Sequence, residues 1–363
     1  MAYDYSELRE LIEINSYTKN KEGVDRCGAL VRQKLEKLGY KTKVFERERF
    51  GDHLWFTSHK RGGKKMLLLG HLDTVFPPGT FEGFREDEEW IYGPGVCDMK
   101  GGIMVMIEAL RAQKSIHNID VFLVSDEEIG SDDSRAITYE LAKEYDYCLV
   151  FEAAGKNGEI VTARKGIGTF YVDITGKAAH AGNNYTQGID ANQEAAHKLL
   201  ALSHLTNLDL GTTVNVGRIE GGIGANTVSP QAKLIFEARF TSSAQRDQVL
   251  EEITQIVHTS FVPGTDAKLS GGLQRDVMEE TPEQAQLLQK IQKWSGQEIV
   301  TERRGGGSDA NITASAGTPT LDGFGPYGDG DHTIHERASK KSFKERVELT
   351  SKILAGFMAN ETE

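Results

Sequence analysis

Three short apolar runs in this 363-residue chain each end at residues with chemically active side chains. The runs are KMLLLG, IDVFLVS and YCLVF, and the residues that follow them are His71, the pair Glu127 and Glu128, and Glu152. Continuous apolar runs between helical patterns are typical of strands buried in a largely parallel sheet. Ligands of such sheets gather at the carboxyl ends of the strands. The pattern predicts an α/β fold with a site at one sheet edge.

The order of helix and strand patterns predicts two domains, as the chain length also favours. Residues 1–165 alternate helices and strands, beginning with an amphipathic helix through Leu38. Residues 166–276 follow the order β-α-β-β-α-β, which is typical of a ferredoxin-like module. The alternation resumes in residues 277–363. We therefore expect a catalytic domain of mixed, largely parallel sheet with a ferredoxin-like domain inserted in it.

Composition excludes several classes of partner. The net charge is -12 and Lys and Arg are scattered along the chain, so nucleic acid is not an expected partner. No apolar stretch approaches the length of a membrane span, and the first residues carry acids where a secretory signal carries positive charge. Cys27, Cys97 and Cys148 are odd in number and far apart, which favours reduced, buried thiols. We expect a cytoplasmic protein.

The first candidate site residues form the sequence His71-Leu72-Asp73 at the end of a strand. Side chains alternate along a strand, so His71 and Asp73 are expected on the same face. A metal-binding histidine commonly donates its other ring N–H to a carboxylate, which fixes the tautomer of the ring. The sequence therefore predicts that Asp73 orients His71.

Four further acids and one histidine are candidate site residues. Asp98 in GPGVCDMKGG either binds metal or caps the helix that is expected to begin near Gly102. Glu127 and Glu128 are neighbours, and on extended backbone they would point in opposite directions, one to a metal and one to a substrate. A histidine in a polar loop, such as His332, is more often a surface residue than a ligand. The coincidence of these residues favours one shared site, with Glu152 as its remaining acid.

Charge supports a site with two metal ions. Asp98, Glu128 and Glu152 carry -3 in total and would repel one another in a cleft unless they were neutralised. Two divalent ions supply +4, and the remaining +1 suits a bound hydroxide. Mixed nitrogen and oxygen ligands fit zinc, with manganese or cobalt as possible substitutes.

The segments GHLDT, GPGVCDMKGG, SDEEIGS, FEAA, GKAAHAG and GGGSDA occur in this order and resemble the M20 family of zinc peptidases and deacylases. The resemblance spans nearly the whole chain and is strongest to the glutamate carboxypeptidase branch, the carboxypeptidase G2 type. It implies that Asp98 bridges two zinc ions, that His71 and Glu152 complete one ion, and that Glu128 and His332 complete the other. His332 is preferred over His335 because the family pattern is H-x-x-x-E.

The same resemblance implies roles outside the metal ligands. Glu127 is the expected general base, and a metal-bridged hydroxide attacks the scissile carbonyl. The inserted domain is expected to serve as a lid and dimer surface, in which His180 polarises the carbonyl in the partner subunit's site. Asn226 and Arg239 match positions that hold a substrate carboxylate, and Gly307 with Ser308 match contacts beside the substrate.

Together these features predict a di-zinc hydrolase that cleaves the amide bond of a small substrate with a free C-terminal carboxylate. The alternative is a deacylase of N-acyl amino acids, of the acetylornithine deacetylase or succinyl-diaminopimelate desuccinylase type. The chain departs from the family at Ala153 and Ala154, where relatives often carry proline, and at Cys97, which replaces a small residue. A binding protein without activity is disfavoured because all five ligands and Glu127 are present. A nucleotide-dependent enzyme is disfavoured because the Gly-rich segments lack phosphate-loop endings.

Overall fold

The computed structural model describes residues 3–362 and divides them into two compact units. The first unit comprises the described residues through Ala163, the segment Glu280–Arg304 and the described residues from Ser308 onwards. The second unit comprises Arg164–Glu279 and Gly305–Gly307. Each unit contains its own cluster of buried apolar side chains.

The helices and strands follow one another along the chain in three groups. The first group is α1 (Ser6–Ile12), α2 (Lys21–Lys37), β1 (Lys41–Phe45), β2 (His53–Thr57), β3 (Met66–His71), β4 (Arg85–Glu86), β5 (Trp90–Tyr92), α3 (Lys100–Arg111), β6 (Ile119–Val124), α4 (Arg135–Ala142), β7 (Tyr147–Val150) and β8 (Ile160–Arg164). The second is β9 (Gly166–Thr175), α5 (Ala191–Ser203), β10 (Thr213–Gly221), β11 (Gln231–Phe240), α6 (Ser243–His258) and β12 (Asp266–Arg275). The third is α7 (Pro282–Ser295), β13 (Thr301–Arg304), α8 (Ala310–Ser315), β14 (Thr320–Leu321), β15 (Gly328–Asp329), β16 (Arg337–Ser339) and α9 (Lys340–Asn360).

The main sheet of the first unit has the strand order β1-β2-β6-β3-β7-β14. The strands from β6 to β14 are parallel, whereas β1 and β2 pair antiparallel at the other end. Every residue of β3, β6 and β7 is buried, as the three apolar runs predict. The predicted mixed, largely parallel sheet is confirmed, and it sets the ends of β6, β3 and β7 side by side.

The second unit is built on a four-stranded antiparallel sheet with the order β10-β11-β9-β12. Its elements follow the predicted β-α-β-β-α-β order of a ferredoxin-like module. Burial alternates along β11, so that one face of the sheet contacts the core and the other does not. Apolar residues of α5 and α6 complete this core.

The opening of the chain differs from its prediction. In place of one helix through Leu38, the structure has α1 and α2, separated by residues 13–20. Helix α2 begins after Asn20, because the side chain of Asn20 accepts a hydrogen bond from the backbone N–H of Gly23 and so caps the helix. The side-chain amide of Asn15 is also engaged by the loop, donating to the carbonyl of Phe76. Local capping thus outcompetes the continuous helical pattern.

Two predictions about the whole chain can be compared with the structure. Cys27, Cys97 and Cys148 are all buried and unpaired, as the sequence predicts. Within residues 3–362, no helix combines the length and the apolar composition that a membrane crossing requires.

Candidate metal centre

The ends of three neighbouring strands carry the candidate ligands of the first unit. His71 is the last residue of β3, Glu128 lies four residues after the end of β6, and Glu152 follows β7 by two residues. Glu127 and Glu128 lie in a single 3₁₀ turn, Glu127–Ile129, and not on extended backbone as the sequence suggested. Strand order therefore brings together residues that are up to 81 positions apart, since 152 minus 71 is 81.

Asp98 lies between the two predicted histidine ligands, just before α3. Its Oδ1 atom is 3.0 Å from Nε2 of His71, and its Oδ2 atom is 3.1 Å from Nε2 of His332. Each oxygen of one carboxylate thus faces a different imidazole. This is the arrangement that a carboxylate bridging two metal ions requires.

Two sets of ligand atoms share this carboxylate. In one, Nε2 of His71 lies 3.0 Å from Asp98 and 3.6 Å from Oε1 of Glu152. In the other, Nε2 of His332 lies 3.1 Å from Asp98 and 3.3 Å from Oε2 of Glu128. Zinc bonds of about 2.0–2.2 Å at tetrahedral angles hold neighbouring ligand atoms roughly 3.3–3.6 Å apart. Both sets therefore have spacings close to those of a zinc site.

Ligand atoms of His71, Asp98 and Glu128 also lie within 4.8 Å of one another, so the two sets form one cluster. The chemistry of the donors fits a divalent ion with mixed nitrogen and oxygen ligands. His71 is 1% exposed and the side chain of Glu128 is 4% exposed, whereas the side chain of His332 is 58% exposed. The cluster is thus closed on the sheet side and open on the side of His332.

Protonation in the metal-free protein reflects the crowding of these acids. Burial and the neighbouring Asp98 charge raise the pKa of Glu128 to about 8, and the same two causes raise the pKa of Glu152 well above its usual value. Hydrogen bonds with Asp98 and Glu128 raise the pKa of His332 to about 11, although burial opposes this. Protons thus take the place of cations when no metal is bound.

The two ring nitrogens of His71 have different partners. Nδ1 lies 3.0 Å from the backbone carbonyl oxygen of Asp73 and 3.5 Å from its carboxylate oxygen Oδ1. The nearer acceptor is the carbonyl, so the expected carboxylate contact is the longer one. A proton on Nδ1 leaves the lone pair of Nε2 free for a metal ion.

The carboxylate of Asp73 also contacts the turn that carries Glu127. Its Oδ1 accepts from the backbone N–H of Glu127 at 3.3 Å, and its Oδ2 accepts from that of Glu128 at 3.2 Å. The hydroxyl of Thr18 donates to the same Oδ2 at 2.7 Å. Asp73 is fully buried, so it links the end of β3 to the turn after β6.

Of the two histidines in the 330–336 loop, the structure brings His332 to the cluster. His332 contacts Asp98 and Glu128, whereas His335 is exposed and its backbone N–H binds the hydroxyl of Thr333. The backbone of His332 has a φ of 61°, a left-handed conformation that is rare for residues other than glycine. This conformation occurs at the residue that meets two carboxylates, in keeping with strain stored at functional sites.

His180 lies in the second unit and is exposed. Its Nδ1 accepts hydrogen bonds from the backbone N–H groups of Gly182 and Asn183, each at 3.2 Å. These two bonds place the ring proton on Nε2, which can donate to a carbonyl oxygen. Asn226 is a neighbour, because its backbone carbonyl accepts from Ala181 and because His180 and Thr227 form a β-bridge. The structure therefore brings His180 and Asn226 together.

Arg239, also in the second unit, already has a carboxylate partner. Its guanidinium donates to Oε1 of Glu237 at 2.7 Å and to Oε2 at 3.3 Å, and a third N–H donates to the carbonyl of Gly305 at 2.6 Å. Arginine has five N–H donors. Three are used, so two stay available for a substrate carboxylate. The pairing with Glu237 is a feature that the sequence did not predict.

The Gly-rich run divides between the two units. Gly307 belongs to the second unit, where a side chain at this position would press on Ile167 and Arg275, which favours glycine here. Ser308 belongs to the first unit and is 2% exposed, with its hydroxyl donating to Asp322 at 2.8 Å. The backbone N–H of Ser308 donates to Asn311. Ser308 thus anchors the loop, and its predicted substrate contact stays a prediction.

Two residues of this site had no assigned role at the level of sequence. Thr18 binds the carboxylate of Asp73, yet it lies 55 positions away along the chain and in no recognisable pattern. Glu336 accepts hydrogen bonds from three backbone N–H groups beside Asp98, and burial raises its pKa to about 8. The H-x-x-x-E spacing marked Glu336 but gave no function for it.

Comparisons with known proteins place this cluster in a family. The chain matches Peptidase family M20/M25/M40 over residues 67–356. It is 29% identical to carboxypeptidase G2 of Pseudomonas sp. (strain RS-16), over 90% of this chain and 82% of that protein. It is 25% identical to succinyl-diaminopimelate desuccinylase of Xylella fastidiosa (strain 9a5c), over 97% of each chain.

A solved structure agrees with these relatives. Aminopeptidase PepT from Bacillus cereus ATCC 10987 superposes with a TM-score of 0.79 at 25% identity, covering 96% of each chain. The similar proteins are peptidases and deacylases, which hydrolyse C–N bonds. Because the family match spans most of the sequence, including every candidate metal ligand, the chain belongs to peptidase family M20/M25/M40 and is a hydrolase of C–N bonds.

Proposed function

We propose that this protein is a di-zinc hydrolase that cleaves the amide or peptide bond of a small substrate with a free C-terminal carboxylate. The observation that carries the proposal is the Asp98 carboxylate, whose two oxygens each face a separate histidine that also lies near a second acid. In the proposal, His71, Asp98 and Glu152 hold one ion, and Asp98, Glu128 and His332 hold the other. Manganese or cobalt are possible substitutes, since both accept nitrogen and oxygen ligands.

The bound ions supply Lewis acidity, which polarises a carbonyl and lowers the pKa of water toward about 7. In this proposal a side chain of the protein holds and transfers the proton. Glu127 fits that role because it is the neighbour of Glu128, which contacts the metal cluster, and because its backbone N–H donates to Asp73 and so holds it beside that cluster. A general base of this kind typically contributes about 10²–10⁴-fold to the rate. Glu127 would take the proton from water and deliver it to the departing amine.

Recognition of the substrate carboxylate is assigned to Arg239 and Asn226, with Gly307 as a backbone contact. Arg239 retains two free N–H donors, and a planar guanidinium suits a carboxylate. Asn226 is exposed beside His180, whose Nε2–H would stabilise the developing oxyanion. This group of side chains lies in one compact unit, so it moves as a body if that unit moves.

The relatives favour a second candidate, deacylation of an N-acyl amino acid. Similarity to a succinyl-diaminopimelate desuccinylase extends over 97% of the chain, even though its identity is lower than that of carboxypeptidase G2. Both reactions use the same metal cluster and the same base.

A substrate panel distinguishes the two candidates. We would assay the zinc-, manganese- and cobalt-loaded protein on N-benzoyl and dipeptide substrates ending in Glu, Asp, Gly and Leu, beside N-acetyl and N-succinyl amino acids. Preference for a C-terminal carboxylate with tolerance of the amino side supports the peptidase. Strict dependence on a small acyl group supports the deacylase, and failure to hydrolyse any of them with metal bound would contradict both.

Assembly and location are part of the same proposal. We infer a homodimer formed through the second unit, in which the partner subunit supplies His180 to the site. Light scattering measures the molar mass of the purified protein and so tests whether it is a dimer. A cytoplasmic location is supported by three buried, unpaired cysteines, which suit a reducing compartment.

A further inference from the structure

We propose that Glu336 is a positioning residue that holds Asp98 where it can share its carboxylate between two metal ions. The inference rests on the proposed function, because it concerns the same cluster. Glu336 touches none of the reacting atoms. It acts through the backbone of the loop that carries Asp98.

The position of Glu336 follows from one pair of antiparallel strands. Tyr92 at the end of β5 pairs with Arg337 at the start of β16. The chain leaves β5 through Gly93 towards Asp98, and it enters β16 from His332 through Glu336. Both loops of the cluster therefore diverge from the same end of this strand pair. Glu336 lies at the point where the two loops separate.

The carboxylate of Glu336 binds the first loop at three points. Its Oε2 accepts from the backbone N–H of Gly95 at 3.0 Å. Its Oε1 accepts from those of Cys97 at 2.9 Å and Asp98 at 3.1 Å. Glu336 is 1% exposed, and no Lys, Arg or His cation in residues 3–362 forms an ion pair with it. Its two carboxyl oxygens therefore have backbone N–H groups as their partners.

The Glu336 carboxylate supplies hydrogen-bond acceptors to backbone N–H groups, as helices and sheets do elsewhere. Residues 93–98 form neither helix nor strand, and Gly93 and Gly95 adopt positive φ values of 151° and 84°. Buried backbone N–H groups without partners are costly, so such a loop needs acceptors from outside. Glu336 supplies them at three positions within four residues. The backbone of Asp98 is thereby fixed before any metal arrives.

The consequence is a link between two ligands of the cluster. Asp98 is held by Glu336, and His332 lies four residues before Glu336 in the same short loop. Within that loop, the backbone N–H of Glu336 donates to the carbonyl of Thr333 and that of Thr333 donates to Gly330. Loss of the Glu336 carboxylate should therefore loosen Asp98 relative to His332. Partners that orient metal ligands typically change metal affinity by about 10–100-fold.

The test compares Glu336→Gln and Glu336→Asp with wild type. The amide of glutamine keeps one acceptor but turns a donor towards a backbone N–H group, whereas aspartate keeps both acceptors on a shorter side chain. Metal-free protein is titrated with zinc against a chelator, and the visible spectrum of the cobalt-loaded protein reports the ligand geometry. Thermal unfolding of the metal-free protein measures general stability.

Glu194→Gln is a matched control in the second unit. Glu194 is also fully buried, accepts a backbone N–H at 2.6 Å from Val262, and pairs with Lys198. We expect this control to unfold at a lower temperature but to keep wild-type zinc affinity. In contrast, Glu336→Gln should bind zinc about 10–100-fold more weakly and change the cobalt spectrum. Glu336→Asp should lie between it and wild type.

Unchanged zinc affinity and an unchanged cobalt spectrum in both Glu336 variants would overturn the inference. If Glu336→Gln does not fold, Glu336→Asp carries the same test alone. If wild type itself binds no zinc, the proposed function fails first. The two failures are therefore distinct, because the inference concerns only the difference between the variants and a metal-binding wild type.

Discussion

The carboxylate of Asp73 accepts a hydrogen bond from the backbone N–H of Glu127 at 3.3 Å. The same carboxylate accepts from Glu128 and from the hydroxyl of Thr18. Asp73 is thus the structural connection between a metal-ligating strand end and the turn that carries the proposed base. This connection lets the roles of the two glutamates be tested from a residue that binds neither metal nor substrate.

Asp73→Asn should lower kcat by about 10–100-fold, in the range expected for residues that orient a metal site. The asparagine side chain has one NH₂ group, which would face a backbone N–H that now donates to the Asp73 carboxylate. Two donors then oppose each other, so the Glu127 turn should shift. Thr18→Val is the matched control, because it removes one hydroxyl donor and leaves the carboxylate in place. Steady-state kinetics on the best substrate would decide, and equal kcat in Asp73→Asn and wild type would contradict this role.

Glu127→Gln and Glu128→Gln should fail in different ways. The Glu127 variant should bind two zinc ions per subunit and lose about 10²–10⁴-fold in kcat, since only proton transfer is removed. The Glu128 variant should lose metal as well, because Oε2 of Glu128 faces His332 at 3.3 Å. Elemental analysis of the dialysed proteins separates the two outcomes. Full metal content in the Glu128 variant would remove it from the ligand set.

The central sheet could be predicted from sequence because three strands are buried at every position and are largely apolar. The runs KMLLLG, IDVFLVS and YCLVF correspond to the parallel strands β3, β6 and β7. Their order in the sheet then placed the following acids together. A strand that is buried on both faces reads as a nearly continuous apolar run, which can be recognised in the sequence without knowledge of its tertiary contacts.

Contacts made through the backbone could not be predicted. Asp73 was expected beside the ring of His71, and its Oδ1 lies 3.5 Å from Nδ1, but its hydrogen bonds to the amides of a turn from another strand were not expected. Glu336 binds the amides of a loop more than 200 positions away. Such contacts depend on loop conformation and leave no periodic signal. The same applies to Asn20, whose capping of α2 divides the opening helical pattern.

Zinc binding should release protons, so zinc affinity should rise with pH. In the metal-free protein, hydrogen bonds with Asp98 and Glu128 raise the pKa of His332 to about 11, and burial raises the pKa of Glu128 to about 8. Both groups therefore hold protons at neutral pH, and metal ligands must lose theirs. Affinity should increase between about pH 6 and 8.

Calorimetric titration in two buffers of different ionisation enthalpy measures this release. The apparent enthalpy of zinc binding should differ between the buffers in proportion to the number of protons released. His332→Ala should release fewer protons, because it lacks the imidazole. Identical enthalpies in both buffers for the wild-type protein would show that the cluster is already deprotonated.

Arg239 and Glu237 should have opposite effects on substrates with a free carboxylate. Arg239→Met removes a charged hydrogen-bonding partner worth about 1.5–3 kcal/mol, which corresponds to a loss of roughly 10–100-fold in kcat/KM. Glu237→Gln frees the guanidinium from its present partner and should lower KM. Substrates with a C-terminal amide serve as the control and should respond to neither change. A similar response from both kinds of substrate would exclude carboxylate recognition by Arg239.

Mixing two inactive variants tests whether His180 acts in the partner subunit. His180→Ala and Glu127→Gln are each expected to be inactive as homodimers. In a mixed dimer, the subunit that carries His180→Ala keeps its own Glu127 and receives His180 from its partner. One of the two sites of the dimer is therefore complete. Random exchange makes half of the dimers mixed, which restores about a quarter of wild-type activity for a two-fold dimer. If His180 acts within its own subunit, each site of the mixed dimer lacks one group and activity stays absent. Exchange must be verified by native mass spectrometry of differently tagged subunits, so that failure to mix is not mistaken for action within one chain.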